Sequence, residues 1–317
     1  MADRPPDCVV LQPIAETGLA RLRAAGLVVH VAARPELEGL RPVLSAARAV
    51  ITRNAGFSAE WIAAAPRLEV IGSHGTGLDA IDMPAARARA ITVVNTPGAN
   101  AQSVAELAFA LMLACSTSLL AADRAVRAHD FGWRMRARTV ELSGRRLGLL
   151  GFGAIARRVA RIGLAFGMEV AALSRHAGPG ELASHGVSAA SDLPALLAWS
   201  DVLSLHAVPS GPPPIDAAAL ARMKPGAILV NTARGALVDV AALAAALRAR
   251  RLGGAAIDVL PEEPPVGGSP LFAPDLANLI VTPHMAWAAR ESRQRCLDEL
   301  AANIEDWRRG GMRGRVV

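Results

Sequence analysis

Three ionisable side chains that follow apolar runs in the last third of the chain could together act on a ketone. Arg234, Glu263 and His284 each lie shortly after such a run. If these runs are parallel strands of an open α/β sheet, their carboxyl ends meet at one edge, where ligands bind. The planar cation of an arginine suits carboxylate and carbonyl oxygens, and a histidine can supply a proton near neutrality. Because Glu263 would raise the pKa of His284, the trio predicts polarisation and protonation of the carbonyl of a 2-keto acid.

A second histidine, His206, also ends a predicted strand. No acidic residue follows it at short range. A structural role, or one at the edge of a cofactor, is therefore expected there rather than catalysis.

A glycine pattern in the middle of the chain indicates the source of a hydride. An apolar run at residues 147–150 stops at Gly151, Gly153 follows two residues later, and Ala156 stands three residues after that. Between a predicted strand and a predicted helix over 155–166, this is the dinucleotide-binding fingerprint, whose glycines permit a tight turn and close approach to a pyrophosphate. The pyrophosphate would lie on the helix N-terminus. The predicted contacts are Gly151, Gly153, Ala154 and Ile155.

The residues after the next predicted strand favour NADP(H) as the cofactor. Enzymes that select NAD usually place an acid there, about 20 residues after the glycines, to bind the ribose 2′-hydroxyl. This chain has Ser174, Arg175 and His176 instead. A hydroxyl and a guanidinium can bind the 2′-phosphate that an acid would repel. NAD(H) is the alternative, in which Arg175 is an ordinary solvated loop residue.

Short β-type runs alternate with helical runs along the chain, which is typical of parallel sheets with crossover helices. One set of β-type runs lies between residues 8 and 94, and a second lies between residues 147 and 282. The glycine fingerprint opens the second set. The cofactor domain is therefore predicted in the central part of the chain, and a helical tail at 290–307 is expected to return to the first α/β unit.

Composition argues against several other classes of protein. The chain has 317 residues, 52% of them apolar, but no apolar run reaches the ~20 residues of a membrane span. The run at 104–120 is expected to be a buried or interfacial helix. The net charge is +6, but the arginines are scattered without interleaved aromatic residues, so no nucleic-acid partner is expected. Cys8, Cys115 and Cys296 lie too far apart for a disulfide framework or a metal cluster.

The first seven residues lack the charged-then-apolar plan of a signal peptide. A cytoplasmic location is expected on this ground, with no membrane partner and no bound metal.

The order of the motifs resembles the D-isomer-specific 2-hydroxyacid dehydrogenase family over nearly the whole chain. The matching segments are GTGLDAID at 75–82, NTPG at 95–98, VAE at 104–106, GFG at 151–153, MKPGA at 223–227, NTARG at 231–235, DV at 258–259, EP at 263–264 and TPH at 282–284. The resemblance implies an α/β fold of two doubly wound parallel-sheet domains. A Rossmann cofactor domain at 99–284 would be inserted in a flavodoxin-like substrate domain at 1–98 and 285–317.

The resemblance also implies roles for individual residues. The catalytic residues would be Arg234, Glu263 and His284. The substrate contacts would be Asn54, Gly75, Thr76, Gly77 and Trp287, together with Arg234 and His284. The further cofactor contacts would be Ala207, Val208, Pro209, Thr232, Ala233 and Asp258, the last of which would hold the nicotinamide carboxamide. Because the family is typically dimeric, we expect a homodimer with residues 103–120 near the partner subunit.

Two segments narrow the expected substrate. Ser174-Arg175 and the segment HMAWA at 284–288 look like those of NADP-preferring glyoxylate/hydroxypyruvate reductases. This likeness implies NADPH-dependent reduction of glyoxylate or hydroxypyruvate to the D-2-hydroxy acid. A dehydrogenase for a bulkier 2-keto acid, aryl or sugar-derived, is the alternative. A corepressor-like protein that senses the cofactor is a third candidate, but it would need an exposed peptide-binding groove that the sequence does not indicate.

Overall fold

The structure, a computed structural model, describes residues 5–14 and 16–317 and divides the chain into two units. The first unit comprises residues 1–100 and 288–317, and the second comprises residues 101–287. These boundaries lie two or three residues from those expected, and the assignment of one unit to substrate and the other to cofactor stays a prediction. Residues 1–4, which belong to the segment considered for a signal peptide, lie outside the described residues.

A five-stranded parallel sheet forms the centre of the first unit. Its strands are β1 (Cys8–Val10), β2 (Val29–Val31), β3 (Ala49–Thr52), β4 (Val70–Ser73) and β5 (Thr92–Val94). They lie in the order β2-β1-β3-β4-β5, which is the flavodoxin-like order. The helices of this unit are α1 (Glu16–Ala24), α2 (Leu37–Leu44), α3 (Ala59–Ala64), α4 (Met83–Ala88) and, after the second unit, α12 (Arg290–Arg308).

Both faces of this sheet are apolar, as in parallel sheets that helices cover on both sides. Successive side chains of a strand point to opposite faces. Val50 is buried in the cluster on one face, and its neighbour Ile51 is buried in the cluster on the other. Leu300 and Ile304 of α12 belong to the second cluster, so the C-terminal helix completes one layer of the first unit.

A seven-stranded parallel sheet forms the centre of the second unit. Its strands are β6 (Arg146–Leu150), β7 (Glu169–Leu173), β8 (Ser188–Ala189), β9 (Val202–Leu205), β10 (Ile228–Asn231), β11 (Gly254–Ile257) and β12 (Leu279–Val281). Their order is β12-β11-β10-β9-β6-β7-β8. The order reverses between β6 and β9, as in a doubly wound Rossmann sheet with one additional edge strand. The predicted fold class is confirmed for both units.

Aspartates set the start of several helices. The helices of the second unit are α5 (Ala101–Ser116), α6 (Leu119–Arg127), α7 (Ala154–Ala165), α8 (Pro179–Ser184), α9 (Leu193–Trp199), α10 (Ala217–Arg222) and α11 (Val240–Arg248). Asp192, Asp216 and Asp239 precede α9, α10 and α11, and each carboxylate accepts a backbone N–H of the first turn. Asp82 does the same for α4 in the first unit. Such a cap typically contributes about 1 kcal/mol.

The apolar run at 104–120 forms two helices rather than one. α5 is largely buried, but the chain turns at Ser118, whose φ is 51°, and none of the residues of α6 is buried. No single helix in the described part of the chain is long and apolar enough to span a membrane. Helices α5 and α6 meet this criterion of length and composition only when they are taken together, and the chain bends by 58° between them.

Candidate active site

His284 and Glu263 are hydrogen-bonded to each other at the carboxyl edge of the seven-stranded sheet. His284 follows β12 and Glu263 lies in the loop after β11. Nδ1 of His284 is 2.5 Å from Oε2 of Glu263, and Oε1 of Glu263 accepts the N–H of Leu260 over 2.7 Å. An ionised carboxylate can only accept, so Nδ1 carries a proton in both charge states of the ring. The proton that His284 can release is therefore the one on Nε2.

This pair favours a charged histidine. The pKa of His284 is raised, mainly by the hydrogen bond to Glu263. The charges of Glu263 and Asp258 also raise it. Burial and the charge of Arg234 act in the opposite direction. Burial alone would raise the pKa of Glu263, but the hydrogen bonds from His284 and Leu260 bring it below its ordinary value. Both shifts favour a carboxylate beside an imidazolium, the state in which a histidine can act as a general acid.

A buried carboxylate organises the loop that carries His284. Asp258, which is 1% exposed, follows β11 directly. Its Oδ1 accepts the hydroxyl of Thr282 over 2.5 Å and the N–H of Met285 over 2.9 Å, and its Oδ2 accepts the N–H of Ala286 over 2.9 Å. The predicted contact of Asp258 with a nicotinamide carboxamide stays a prediction. The structure adds a second role, the anchoring of the 282–286 loop.

The backbone of His284 itself is held in an unusual conformation. Its φ is 50°, in the left-handed region that residues other than glycine rarely adopt. Such a conformation persists where the surrounding contacts impose it. The N–H of His284 donates to the carbonyl of Asp258 over 2.8 Å, and the carbonyl of His284 accepts Nε1–H of Trp287 over 2.8 Å. Ser103 Oγ donates to the carbonyl of Ala286 over 2.6 Å, so α5 also supports this loop.

The loop after β10 presents Arg234. The side chain of Asn231, fully buried, donates to the carbonyl of Arg234 over 2.8 Å and accepts the N–H of Ala233 over 3.0 Å. The next residue must be glycine, because a Cβ on Gly235 would lie 2.0 Å from the carbonyl carbon of Leu260. This close approach joins the loop of Arg234 to that of Glu263. The second unit therefore joins His284 to Glu263 by a hydrogen bond and holds the loop of Arg234 against the loop of Glu263.

The loop between β6 and α7 fits the pyrophosphate of a dinucleotide. Gly151 has a φ of 94°, and a Cβ there would lie 2.7 Å from the carbonyl carbon of His206. A Cβ on Gly153, the N-cap of α7, would meet nothing within 4 Å, so the start of the helix faces open space. The first N–H groups of a helix lack intrahelical partners and favour an anion. Thr232 Oγ1 is buried without a hydrogen-bond partner among the described residues, which also fits a ligand at this edge.

The loop after β7 presents the segment expected to select the cofactor. Ser174 Oγ accepts the N–H groups of His176 and Ala177 over 3.2 and 2.9 Å, which closes a turn. Arg175 and His176 are exposed, and Arg175 forms no ion pair with any residue that the structure describes. The guanidinium of Arg175 is thus accessible to a phosphate group.

The loop after β9 contains the other predicted cofactor contacts, Ala207, Val208 and Pro209. The N–H of Ala207 lies against Gly151, and Val208 is 68% exposed. Nε2 of the preceding His206 lies 2.9 Å from Oγ of Ser204, and burial lowers the pKa of His206 to about 4. A half-buried ring with a lowered pKa supports the structural role expected for His206.

In the first unit, the loop at residues 75–77 lies just after β4. Its three carbonyl oxygens accept hydrogen bonds from the N–H of Thr96, Nδ2 of Asn95 and Oγ of Ser73, over 3.0, 2.9 and 2.9 Å. The N–H groups of the last two loop residues donate no hydrogen bond within the described part of the chain. Successive unengaged N–H groups of this kind bind anions, which supports the predicted carboxylate contact.

The loop after β3 contains Asn54, another predicted substrate contact. Oδ1 of Asn54 accepts Nε2–H of Gln12 over 2.7 Å. Oε1 of Gln12 in turn accepts the N–H groups of Arg53, Asn54 and Ala55 over 3.2, 3.1 and 3.1 Å. Gln12 therefore determines the conformation of this loop.

Sequence reasoning missed the residues that hold the site in place. They are Gln12, Ser103, Asn231, Leu260 and Thr282. The roles of Asn231 and Thr282 could have been inferred from the sequence, because a polar residue at the end of an apolar run is buried only with hydrogen-bond partners. The roles of Gln12 and Ser103 could not, since their partners lie at least 41 residues away along the chain.

The chain is similar in sequence and in fold to known proteins. The family model described as "D-isomer specific 2-hydroxyacid dehydrogenase, NAD binding domain" matches residues 109–286. The chain is 37% identical over 272 residues to the glycerate dehydrogenase of Methylorubrum extorquens, an alignment that covers 83% of each chain. A glyoxylate reductase from Paecilomyes thermophila has a similar structure, with a TM-score of 0.85, 28% identity and 99% of each chain covered.

A longer relative is similar as well. The chain is 39% identical over 275 residues to the D-3-phosphoglycerate dehydrogenase of Mycobacterium tuberculosis, covering 85% of this chain and 51% of that one. It therefore spans about half the length of this relative.

Proposed function

Because this chain belongs to the D-isomer-specific 2-hydroxyacid dehydrogenase family, we propose that it reduces a small 2-keto acid to the D-2-hydroxy acid. The observation that carries the proposal is the 2.5 Å hydrogen bond between Glu263 and His284, under the charge of Arg234. These groups can protonate a carbonyl oxygen and bind a carboxylate, the two tasks that such a reduction requires besides hydride.

Each group has one part in the proposed reaction. The nicotinamide cofactor supplies the hydride when it is bound. Arg234 polarises the carbonyl and binds the carboxylate through its guanidinium fork. His284 donates its Nε2 proton to the carbonyl oxygen, while Glu263 stays ionised and orients the ring through Nδ1. In the first unit, the N–H groups of loop 75–77 bind the carboxylate.

Glyoxylate or hydroxypyruvate is the proposed substrate. The likeness to proteins named glycerate dehydrogenase and glyoxylate reductase supports it. A bulkier 2-keto acid is the second candidate. The likeness to a D-3-phosphoglycerate dehydrogenase, a protein named for a larger substrate, supports it. Asn54 and Trp287 are the proposed side-chain contacts with the substrate.

Initial rates of NADPH and NADH oxidation test this proposal, with glyoxylate, hydroxypyruvate, pyruvate and phenylpyruvate as substrates. We expect the fastest turnover with NADPH and one of the two small polar acids. Activity with phenylpyruvate alone would support the proposed type of reaction but exclude glyoxylate and hydroxypyruvate as substrates. Absence of turnover with all four acids would contradict the proposed function.

The rate of reduction should fall with rising pH only above the ordinary histidine pKa of 6.5. Reduction consumes the Nε2 proton, and a raised pKa retains that proton until the pH passes the raised value. A pH profile of kcat/KM for the wild type and Glu263→Gln measures this. The descending limb should lie at lower pH in the variant, because the neutral amide no longer stabilises the imidazolium. Identical limbs would contradict the assignment of the proton to this pair.

NADPH is the proposed cofactor, and Arg175 is the residue proposed to select it. Arg175→Ala should raise KM for NADPH roughly tenfold to a hundredfold, because a charge-assisted hydrogen bond to the 2′-phosphate is lost. KM for NADH should change by less than about threefold. Arg161→Ala, which removes an equal charge from an exposed position on α7, is the control. An unchanged preference for NADPH in Arg175→Ala would refute this account.

A homodimer is the proposed assembly. α6 has no buried residue, yet Leu119, Leu120 and Val126 are 57%, 45% and 49% exposed, and Phe131 just after the helix is 64% exposed. Apolar side chains exposed together mark interaction surfaces. Sedimentation equilibrium should give the mass of two chains, and the mass of one chain would contradict the proposal.

A further inference from the structure

Residues 312–317 lie antiparallel along β5, which is an edge strand of the five-stranded sheet. The N–H and the carbonyl of Val93 are both hydrogen-bonded to this segment, over 3.1 and 2.8 Å. Just beyond β5, the N–H of Asn95 donates to the carbonyl of Gly314 over 3.1 Å. The segment therefore continues the hydrogen bonding of the sheet past the carboxyl end of β5.

Asn303, a fully buried residue of α12, contacts both chains of this pairing. Its Nδ2 donates to the carbonyl of Asn95 over 2.9 Å, and its Oδ1 accepts Nε–H of Arg313 over 3.0 Å. The carboxylate of Asp306 on the same helix accepts the N–H of Arg313 over 2.8 Å. Gly314 has a φ of 63°, and a Cβ there would lie 2.2 Å from Nδ2 of Asn303. The segment therefore packs against α12 with no room for a side chain at position 314.

The backbone of Asn95 is thus held from both sides, and its side chain holds loop 75–77. Nδ2 of Asn95 donates to the carbonyl of Thr76 over 2.9 Å. A peptide group is planar and trans, so its C=O and its N–H point in opposite directions. Because Asn95 binds the carbonyl of Thr76, the N–H of the same peptide group, which belongs to Gly77, points away from Asn95. That N–H is one of the groups proposed to bind the carboxylate of the substrate.

We propose that Asn95 is a positioning residue for the substrate, and that Asn303 and segment 312–317 keep it in place. These residues act through the direction of the N–H of Gly77, which determines how well loop 75–77 binds the carboxylate of a 2-keto acid. A binding group needs supporting contacts that hold it close to its productive geometry. The inference rests on the proposed function, because it concerns the substrate of the same reaction.

Asn95→Ala removes the hydrogen bond to Thr76 and leaves both backbone hydrogen bonds of residue 95 in place. KM for the preferred 2-keto acid should rise roughly threefold to tenfold, the usual effect of one hydrogen bond. The carboxylate does not react, so its binding contributes equally to the ground state and the transition state, and kcat should change by less than about twofold. A merely structural role of Asn95 would instead lower the folded fraction, and with it kcat, without a change in KM.

Asn278→Ala is the matched control. Asn278 is likewise half-buried, and its Nδ2 donates to a backbone carbonyl, that of Leu252, over 3.3 Å. It directly precedes β12, at the opposite end of that strand from His284. Urea unfolding should show a similar loss of stability in both variants, but KM of the control should equal that of the wild type. A KM within about twofold of the wild type in Asn95→Ala would overturn the proposal.

Gly314→Ala tests the part played by segment 312–317. The added Cβ would displace the segment from Asn303, so KM for the 2-keto acid should rise roughly threefold to tenfold, although residue 314 lies outside loop 75–77. Gly310→Ala is its control. Gly310 also has a positive φ, of 80°, but a Cβ there would meet no atom within 4 Å in the described part of the chain. Equal KM values in these two variants would overturn the role of the segment.

Calorimetric titration of oxamate in the presence of NADPH separates this inference from the proposed reaction. Oxamate has the carboxylate of a 2-keto acid, but its amide carbonyl does not accept hydride. Its Kd should rise roughly threefold to tenfold in Asn95→Ala and in Gly314→Ala. Equal Kd values in the wild type and both variants, or no binding to the wild type, would overturn the inference. Weaker binding in the variants without turnover of any 2-keto acid would contradict the reaction alone.

Discussion

Replacement of His284 by alanine should lower kcat for 2-keto acid reduction by roughly 10²–10⁴-fold, the usual contribution of a general acid. Glu263 holds Nδ1 of His284, so the variant loses the Nε2 proton that the carbonyl oxygen would accept. The glycine loop at Gly151 and Gly153 is unchanged by this substitution, so Kd for NADPH should stay within about twofold. Steady-state rates and a fluorescence titration of NADPH measure the two quantities separately.

Glu262→Gln is the control for this substitution. Glu262 is exposed and adjacent to Glu263, so its replacement removes a nearby charge without touching the hydrogen bond to His284. This variant should keep the turnover of the wild type. Wild-type turnover in His284→Ala would contradict the assignment of the acid.

Replacement of Asp258 by alanine should destabilise the protein by several kcal/mol, because three neutral donors each lose a hydrogen bond to a charged acceptor, and one such bond typically contributes about 1.5–3 kcal/mol. The carboxylate is 1% exposed and accepts the hydroxyl of Thr282 and the N–H groups of Met285 and Ala286. Without it, these donors lose their acceptor, and the loop that carries the left-handed backbone of His284 loses three hydrogen bonds. Urea unfolding should show the lower stability, and kcat of the folded fraction should fall as well.

Two milder variants keep this prediction testable if Asp258→Ala does not fold. Asp258→Asn retains the shape, but its amide turns a donor towards one of the donors that the carboxylate accepts. Thr282→Val removes one hydrogen bond to a charged acceptor, at a cost of about 2 kcal/mol. Both should lower kcat if Asp258 orients His284, and Thr282→Val, which leaves the predicted nicotinamide contact of Asp258 in place, should change Kd for NADPH little. Full stability and full turnover in both would show that the 282–286 loop does not depend on this carboxylate.

The fold was predictable where a local pattern determines the structure. The glycine fingerprint predicted a helix over 155–166, and α7 covers Ala154–Ala165. The run at 104–120 was expected to be a buried or interfacial helix, and α5 is largely buried, but the break of the helix at Ser118 was not predicted. β8, with the two residues Ser188–Ala189, was not predicted, since it is too short to show alternation.

The catalytic side chains of the site could be predicted from the sequence more readily than the contacts that hold them in place. Residue types and motifs pointed to Arg234, Glu263 and His284, but the left-handed backbone of His284 has no sequence mark, because glycine is the residue that usually signals it.

The first unit is assembled from two distant parts of the chain, residues 1–100 and 288–317. During synthesis on the ribosome, the whole of the second unit is made before the helix that covers one face of the first sheet. Ile51 and Val70 on that face cannot be enclosed until Leu300 and Ile304 have been translated. The strands that emerge first are thus the last to be shielded from water, and this interval exposes them to aggregation with other nascent chains.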